Sequence, residues 1–239
     1  MLKKLVLFIF AFALISNINL SAAGQSSSNG INWLTNYEEA INQSKATSKP
    51  ILLLFTGSDW CSWCHKLEQE VLSTPQFAQV AGDAFIFVRL DFPLYSQQDP
   101  QVKTQNKQLQ SKFEVRSFPT IVLVDGEQNQ RIGMTGYRPG GDKQYASHLS
   151  KMVSDYTAYK QKMGALDKNK SSGDDLKMLF DKAKELKLEN DASKIVKQGM
   201  KSDKSLYFLT EYYRFLVNEG RIHDQEAVAL RQQLLTADP

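Results

Sequence analysis

The clearest pattern in the chain is a set of short apolar runs separated by segments with helical spacing. Ile51-Leu52-Leu53-Leu54-Phe55 is apolar at every position, as expected of a central strand covered on both faces. Phe85 to Leu90 repeats this pattern apart from Arg89, and Ile121 to Val124 is a third run. Asp125-Gly126 opens a turn after it, and Arg131 to Met134 reads as its hairpin partner. Trp33, Tyr37, Ala40 and Ile41 recur at helical spacing, with Asn36 or Thr35 as cap. Cys64, Leu67 and Val71 predict a helix that Ser73-Thr74-Pro75 breaks. Thr74 caps a second piece, which stops at Gly82. Asp99-Pro100 starts another helix with Val102, Leu109 and Phe113 on one face. Its glutamine-rich surroundings read as a solvated surface. A longer helix follows Pro139-Gly140-Gly141-Asp142, with Tyr145, Leu149, Met152, Val153 and Tyr156 along one side.

This order predicts an α/β domain: a parallel core with an antiparallel hairpin at one edge. Composition shifts to Lys, Asp, Ser and Gly between 164 and 173, which reads as a linker. No strand is predicted beyond it. Leu176, Leu179, Phe180, Ala183 and Leu186 form an amphipathic stripe, and three or four helices are expected in 174–239. At the other end, Lys3 and Lys4 precede eleven apolar residues, Leu5 to Ile15, and Ser21-Ala22-Ala23 offers a cleavage site. Residues 1–23 therefore read as a signal peptide, with an uncleaved anchor as the other reading. The run is short of the ~20 residues a spanning helix needs, so no stable membrane insertion is expected after cleavage. Residues 24–30 read as a flexible lead-in and 31–163 as the α/β domain.

The 239 residues carry a net charge of +3. Without Lys3 and Lys4, 27 basic residues face 26 acidic ones. Such scattered charge gives no basic face for a nucleic acid, and no nucleic-acid partner is expected. The two cysteines cannot staple the fold, because both lie in Trp60-Cys61-Ser62-Trp63-Cys64. A disulfide closing so short a loop constrains the unfolded chain least. Cys-x-x-Cys at a strand-to-helix junction reads as a redox dithiol. Cys61, expected exposed at the first turn of a helix, is the candidate nucleophile, and Cys64, facing inward, resolves the mixed disulfide. Ser62 and Trp63 tune the pair. Trp63 either shields the site and grips substrate or packs in the core. His65 reads as an exposed helix residue, since Cys61, Cys64 and His65 lack a fourth metal ligand. No metal or other bound cofactor is expected.

The strand Ile51–Phe55 running into Trp60-Cys61-x-x-Cys64, followed by Phe118-Pro119-Thr120 before a further strand, resembles the thioredoxin superfamily. The likeness covers roughly residues 32–160. Phe55 to Cys64 is similar to exported thioredoxin-like proteins of the DsbH type. The resemblance implies a thioredoxin-like fold, a central mixed sheet flanked by helices, with the helical extension outside it. It also implies a periplasmic disulfide reductase acting on disulfide-containing exported proteins and recharged by a membrane electron donor. By the same resemblance Pro119 is the cis-proline facing the dithiol. Trp60, Ser62, Trp63, Phe118 and Pro119 would then contact substrate, although a trans proline at a strand start remains open. Thioredoxins themselves carry a buried acid on the strand entering the motif. Here that strand is apolar, and Asp59, Glu68 or a water would have to serve. Two alternatives stand beside the reductase: an oxidase or isomerase on the same fold, and a redox-sensing binding protein that uses the helical extension.

Overall fold

The computed structural model describes residues 26–28, 30–166 and 171–237. Residues 1–23, read from the sequence as a signal peptide, and part of the expected linker lie outside them. Six strands form one mixed sheet in the order β1-β2-β4-β3-β5-β6. They are β1 (Ser26–Ser28), β2 (Ile31–Leu34), β3 (Ile51–Thr56), β4 (Ile86–Asp91), β5 (Thr120–Asp125) and β6 (Gln130–Thr135). β2, β4 and β3 run parallel. β5 is antiparallel to β3, and the hairpin partner β6 closes that edge. The α/β thioredoxin-like architecture expected from the sequence is the one found.

β3 is central, and all six of its residues are buried. Leu52 and Leu54 face one apolar cluster, with Phe77, Phe87, Ile121 and Leu149. Ile51, Leu53 and Phe55 face the other, with Val88, Leu109, Phe113 and Val122. Each such side chain contributes about 1.5–3 kcal/mol through burial. The first cluster lies beneath α2 (Ser62–Leu67), α3 (Pro75–Ala81) and α5 (Gly141–Ala165). The second lies beneath α1 (Tyr37–Thr47) and α4 (Pro100–Lys112). Asn36, Thr74 and Asp99 cap α1, α3 and α4 through their side-chain oxygens.

Two expectations at the amino end need correction. Trp33 is not on a helix. It lies in β2 and pairs with Phe87 of β4. Its apparent spacing from Tyr37 and Ala40 hid a shorter alternation, in which Ile31 and Trp33 are buried and Asn32 is exposed. The lead-in also holds structure: β1 pairs antiparallel with β2, and Gly30 takes a left-handed φ of 90° beside the turn.

The helical extension consists of α6 (Gly173–Leu186), α7 (Glu189–Gly199), α8 (Ser205–Asn218) and α9 (Gln225–Ala237) among the described residues. α5 continues to Ala165, past the expected start of the linker. The predicted stripe Leu176, Leu179, Phe180, Ala183 and Leu186 is buried, in the same cluster as Leu149, Tyr156, Tyr159 and Leu166. Polar ties reinforce the seam. Tyr159 donates to Asp191, Gln198 to the Leu166 carbonyl and Arg131 to the Glu185 carbonyl. One apolar core therefore runs across the boundary. No helix among the described residues is long and apolar enough to cross a membrane.

This continuity predicts shared cooperativity. Phe180 is fully buried and meets the rings of Tyr207, Phe208 and Phe215 edge-on. Phe180→Ala should cost about 3–5 kcal/mol. All three tryptophans (Trp33, Trp60 and Trp63) lie before α3. Urea unfolding followed by tryptophan fluorescence should therefore shift with this distant change. An unmoved tryptophan transition would mean that the two parts unfold separately.

Candidate active site

β3 ends at Thr56, and Gly57 to Trp60 turn the chain into α2. The turn closes through Cys61 N–H to the Gly57 carbonyl at 3.0 Å. Gly57 is required sterically, since a Cβ there would fall 2.4 Å from the Trp60 ring. Cys61 is the N-cap of α2. Its sulfur accepts the Cys64 N–H at 3.2 Å, and its carbonyl accepts His65 N–H at 3.1 Å. The two cysteines are disulfide-bonded, with Cα atoms 5.2 Å apart. An N-cap sulfur is placed where unpaired helix N–H groups and the helix dipole favour a thiolate over a thiol.

Cys61 was expected to be exposed. It is 6% exposed and Cys64 4%. The two sulfurs are bonded to each other, and the Cys61 sulfur also accepts the Cys64 N–H, so little of either side chain meets solvent. The exposure lies in the flanking indoles, Trp60 at 41% and Trp63 at 55%. Ser62 is exposed between them.

Trp60 is held from two sides. Its indole N–H donates to the Phe92 carbonyl at 2.8 Å, and its ring meets Phe118 edge-on at 5.8 Å. Phe118 also lies against Phe92 at 5.0 Å. The Phe118–Pro119 peptide is cis, and Pro119 is buried. Trp63 is not a core residue. Its ring tilts against Tyr137 at 5.4 Å, and the Lys66 ammonium lies 5.3 Å from both ring centres. Tyr137 donates to Glu70, whose carboxylate raises the Tyr137 hydroxyl pKa. The aromatic surroundings thus come from Trp60, Phe92 and Phe118 on one side and Trp63 and Tyr137 on the other. Phe92 and Tyr137 gave no sequence signal. Each follows the end of a strand, and only the sheet brings them beside the motif.

Polar side chains fix the turn. Asp91 accepts both the N–H and the hydroxyl of Ser58. His65 Nε2 lies 2.7 Å from the Ser58 carbonyl. His65 is therefore a tether within the turn, and among the described residues no three His, Cys, Asp or Glu side chains cluster to hold a metal. Asp59 accepts the N–H groups of Leu94, Tyr95 and Ser96, each at 2.9 Å. Glu68, one helical turn beyond Cys64, pairs with Arg89 at 2.6 Å, and Arg89 stacks over Trp33 at 4.9 Å. Of the two acids considered for proton transfer, Asp59 is committed to a loop and Glu68 to a cation.

The Leu94 N–H, helped by those of Tyr95 and Ser96 and opposed by desolvation, lowers the Asp59 pKa from 3.8 to about 2. A carboxyl lowered on folding stabilises the fold above its unfolded pKa, and that contribution is lost as pH falls through the folded value. The clamp should therefore weaken between pH 3.8 and about 2. The amide shifts of Leu94, Tyr95 and Ser96 should titrate together, with a midpoint near the lower value. A midpoint at the ordinary aspartate pKa would mean that the clamp does not form in solution.

Residues 37–152 match the thioredoxin-like domain family. The thioredoxin-related protein DsbJ of Chlamydia pneumoniae is 28% identical over 240 aligned positions, covering 100% of this chain and 68% of that protein. The disulfide bond reductase DsbH of Chlamydia pneumoniae is 36% identical over 134 residues, covering 56% of this chain and 80% of that protein. A solved DsbH oxidoreductase superposes with a TM-score of 0.50 at 32% identity, over 61% of this chain and 95% of that one. Close sequence likeness over most of DsbH, on a shared fold with the dithiol at the end of β3, makes the assignment: the chain belongs to the DsbH-type thiol–disulfide oxidoreductases of the thioredoxin superfamily.

Proposed function

We propose that this protein is an exported reductase of protein disulfides. The observation that carries the reading is Cys61 at the N-cap of α2, paired with Cys64, in a chain similar to a protein named as a disulfide bond reductase. The reduced dithiol starts the cycle. The Cys61 thiolate attacks one sulfur of the substrate disulfide, the S–S bond breaks, and the departing substrate thiolate takes up a proton. Cys64 loses its proton and attacks the Cys61 sulfur of the mixed disulfide. The second substrate thiol leaves, and the protein is left with the Cys61–Cys64 disulfide. Two electrons have passed to the substrate. An external dithiol must return them, and a membrane electron donor is the proposed source. No bound cofactor enters this cycle.

Trp60, Ser62, Trp63, Phe118 and Pro119 are the proposed substrate contacts. Export rests on residues 1–23, with Lys3 and Lys4 before the apolar run and Ser21-Ala22-Ala23 before the proposed cleavage near Ala23. The periplasm is the proposed compartment. The apolar stripe of α6, one face through which a dimerising isomerase module could pair, is buried in the chain's own core. That favours the reductase over an isomerase.

The deciding experiment equilibrates the chain from Gly24 onward against dithiothreitol and glutathione buffers. A reductase should have a potential near that of thioredoxin, about −270 mV, and a value near about −120 mV would make the protein an oxidant. Cys61→Ser should reduce turnover of a protein disulfide to background. Cys64→Ser should accumulate the mixed disulfide, detectable by mass. If Cys61→Ser leaves turnover intact, the enzymatic reading fails.

A further inference from the structure

One carboxylate, Asp59, two residues before Cys61, collects three consecutive backbone N–H groups of the loop after β4. The same loop is tied again where Trp60 donates to the Phe92 carbonyl. These four bonds use backbone atoms of the loop, and the Ser96 side chain adds one more to Asp59, so the clamp makes no demand on the side chains of Leu94 and Tyr95. Yet two of the clamped residues are Leu94 and Tyr95, 67% and 82% exposed. Large apolar side chains held out in water on a fixed backbone mark a contact surface more often than a folding requirement. The surface is continuous with the dithiol site, because Trp60, Phe92 and Phe118 join the loop to the motif. Residues 92–98 carry no charge.

Together with the reductase reading, on which this inference rests, the geometry points to Leu94 and Tyr95 as specificity-determining residues that grip apolar side chains flanking the substrate's cysteine. A substrate must bring its disulfide to Cys61, so chain leaving that disulfide on the Trp60 side runs toward the clamped loop. An uncharged apolar wall there favours apolar neighbours over charged or strongly polar ones. Asp59 acts as the positioning residue that holds the wall in place.

The test uses the reduced chain in single turnovers with three disulfides: a peptide with Leu and Phe beside its cysteine, the same peptide with Ser there, and hydroxyethyl disulfide. Leu94→Ser combined with Tyr95→Ser should lower the second-order rate constant for the apolar peptide by about tenfold, as expected when two partly covered apolar side chains lose contact. The other two rates and the redox potential should stay unchanged. Asp59→Ala should reproduce the selective loss in part. An equal fall for all three disulfides, or no fall for the apolar peptide, overturns the proposal. So does a wild-type dimer that the double variant dissolves on sedimentation, since the wall would then serve a second copy of this chain. If the wild-type chain reduces none of the three, the reductase reading fails separately. The wall is then read from binding of the apolar peptide, with Ala for Cys, to the oxidised protein. The double variant should raise that Kd about tenfold, and an unchanged Kd overturns the inference.

Discussion

The structure depends on β3 being buried on both faces. A strand with no polar side to present has one place in a layered fold, the middle of the sheet between two helical layers. Leu52 and Leu54 anchor one layer, and Ile51, Leu53 and Phe55 the other. The dithiol follows directly after this strand. Its position is therefore set by a strand buried on both faces, and the dithiol lies where β3, β4 and β5 bring their loops together.

The same strand, Ile51–Thr56, contributes no acid of its own beneath the dithiol. Charged groups appear instead around the rim and on the next strand. Arg89 of β4 faces the same side as Leu54, where Glu68 neutralises it and the Trp33 ring covers it. A half-buried cation without that carboxylate would carry a desolvation cost. The turn before Cys61 is short and solvent-facing, so apolar burial cannot hold it. Asp91, His65 and Asp59 do so through hydrogen bonds: His65 ties the turn to the helix that follows it, and Asp91 and Asp59 join it to the end of β4 and the loop beyond. The motif is thus a rigid strand end completed by a polar frame.

The extension follows the physics of the domain it joins. Its stripe is apolar over one face of α6 and packs against α7, α5 and β6 rather than facing solvent. Glu211, a buried acid on α8, is met by Lys184 and Arg214, so the added helices bring their own charge pairing. The smaller cluster of Leu216, Ala227 and Leu230 joins α8 to α9 at the far end.

Local chemistry in the sequence was sufficient for much of this protein. The all-apolar run of β3, the caps Asn36, Thr74 and Asp99, the stripe of α6 and the Cys61–Cys64 spacing each depend on neighbours a few residues away, and each was legible. β2 was not, because four residues are too few for alternation to outweigh the coincident helical spacing of Trp33, Tyr37 and Ala40. The burial of Cys61, the exposure of Trp63 against Tyr137, the use of Asp59 as a clamp and the core shared by α5 and α6 were decided only by the tertiary structure. For the last three the physical reason is the same: each depends on a partner contributed by a distant element, and no local pattern records which strand end or loop the folded sheet will bring alongside.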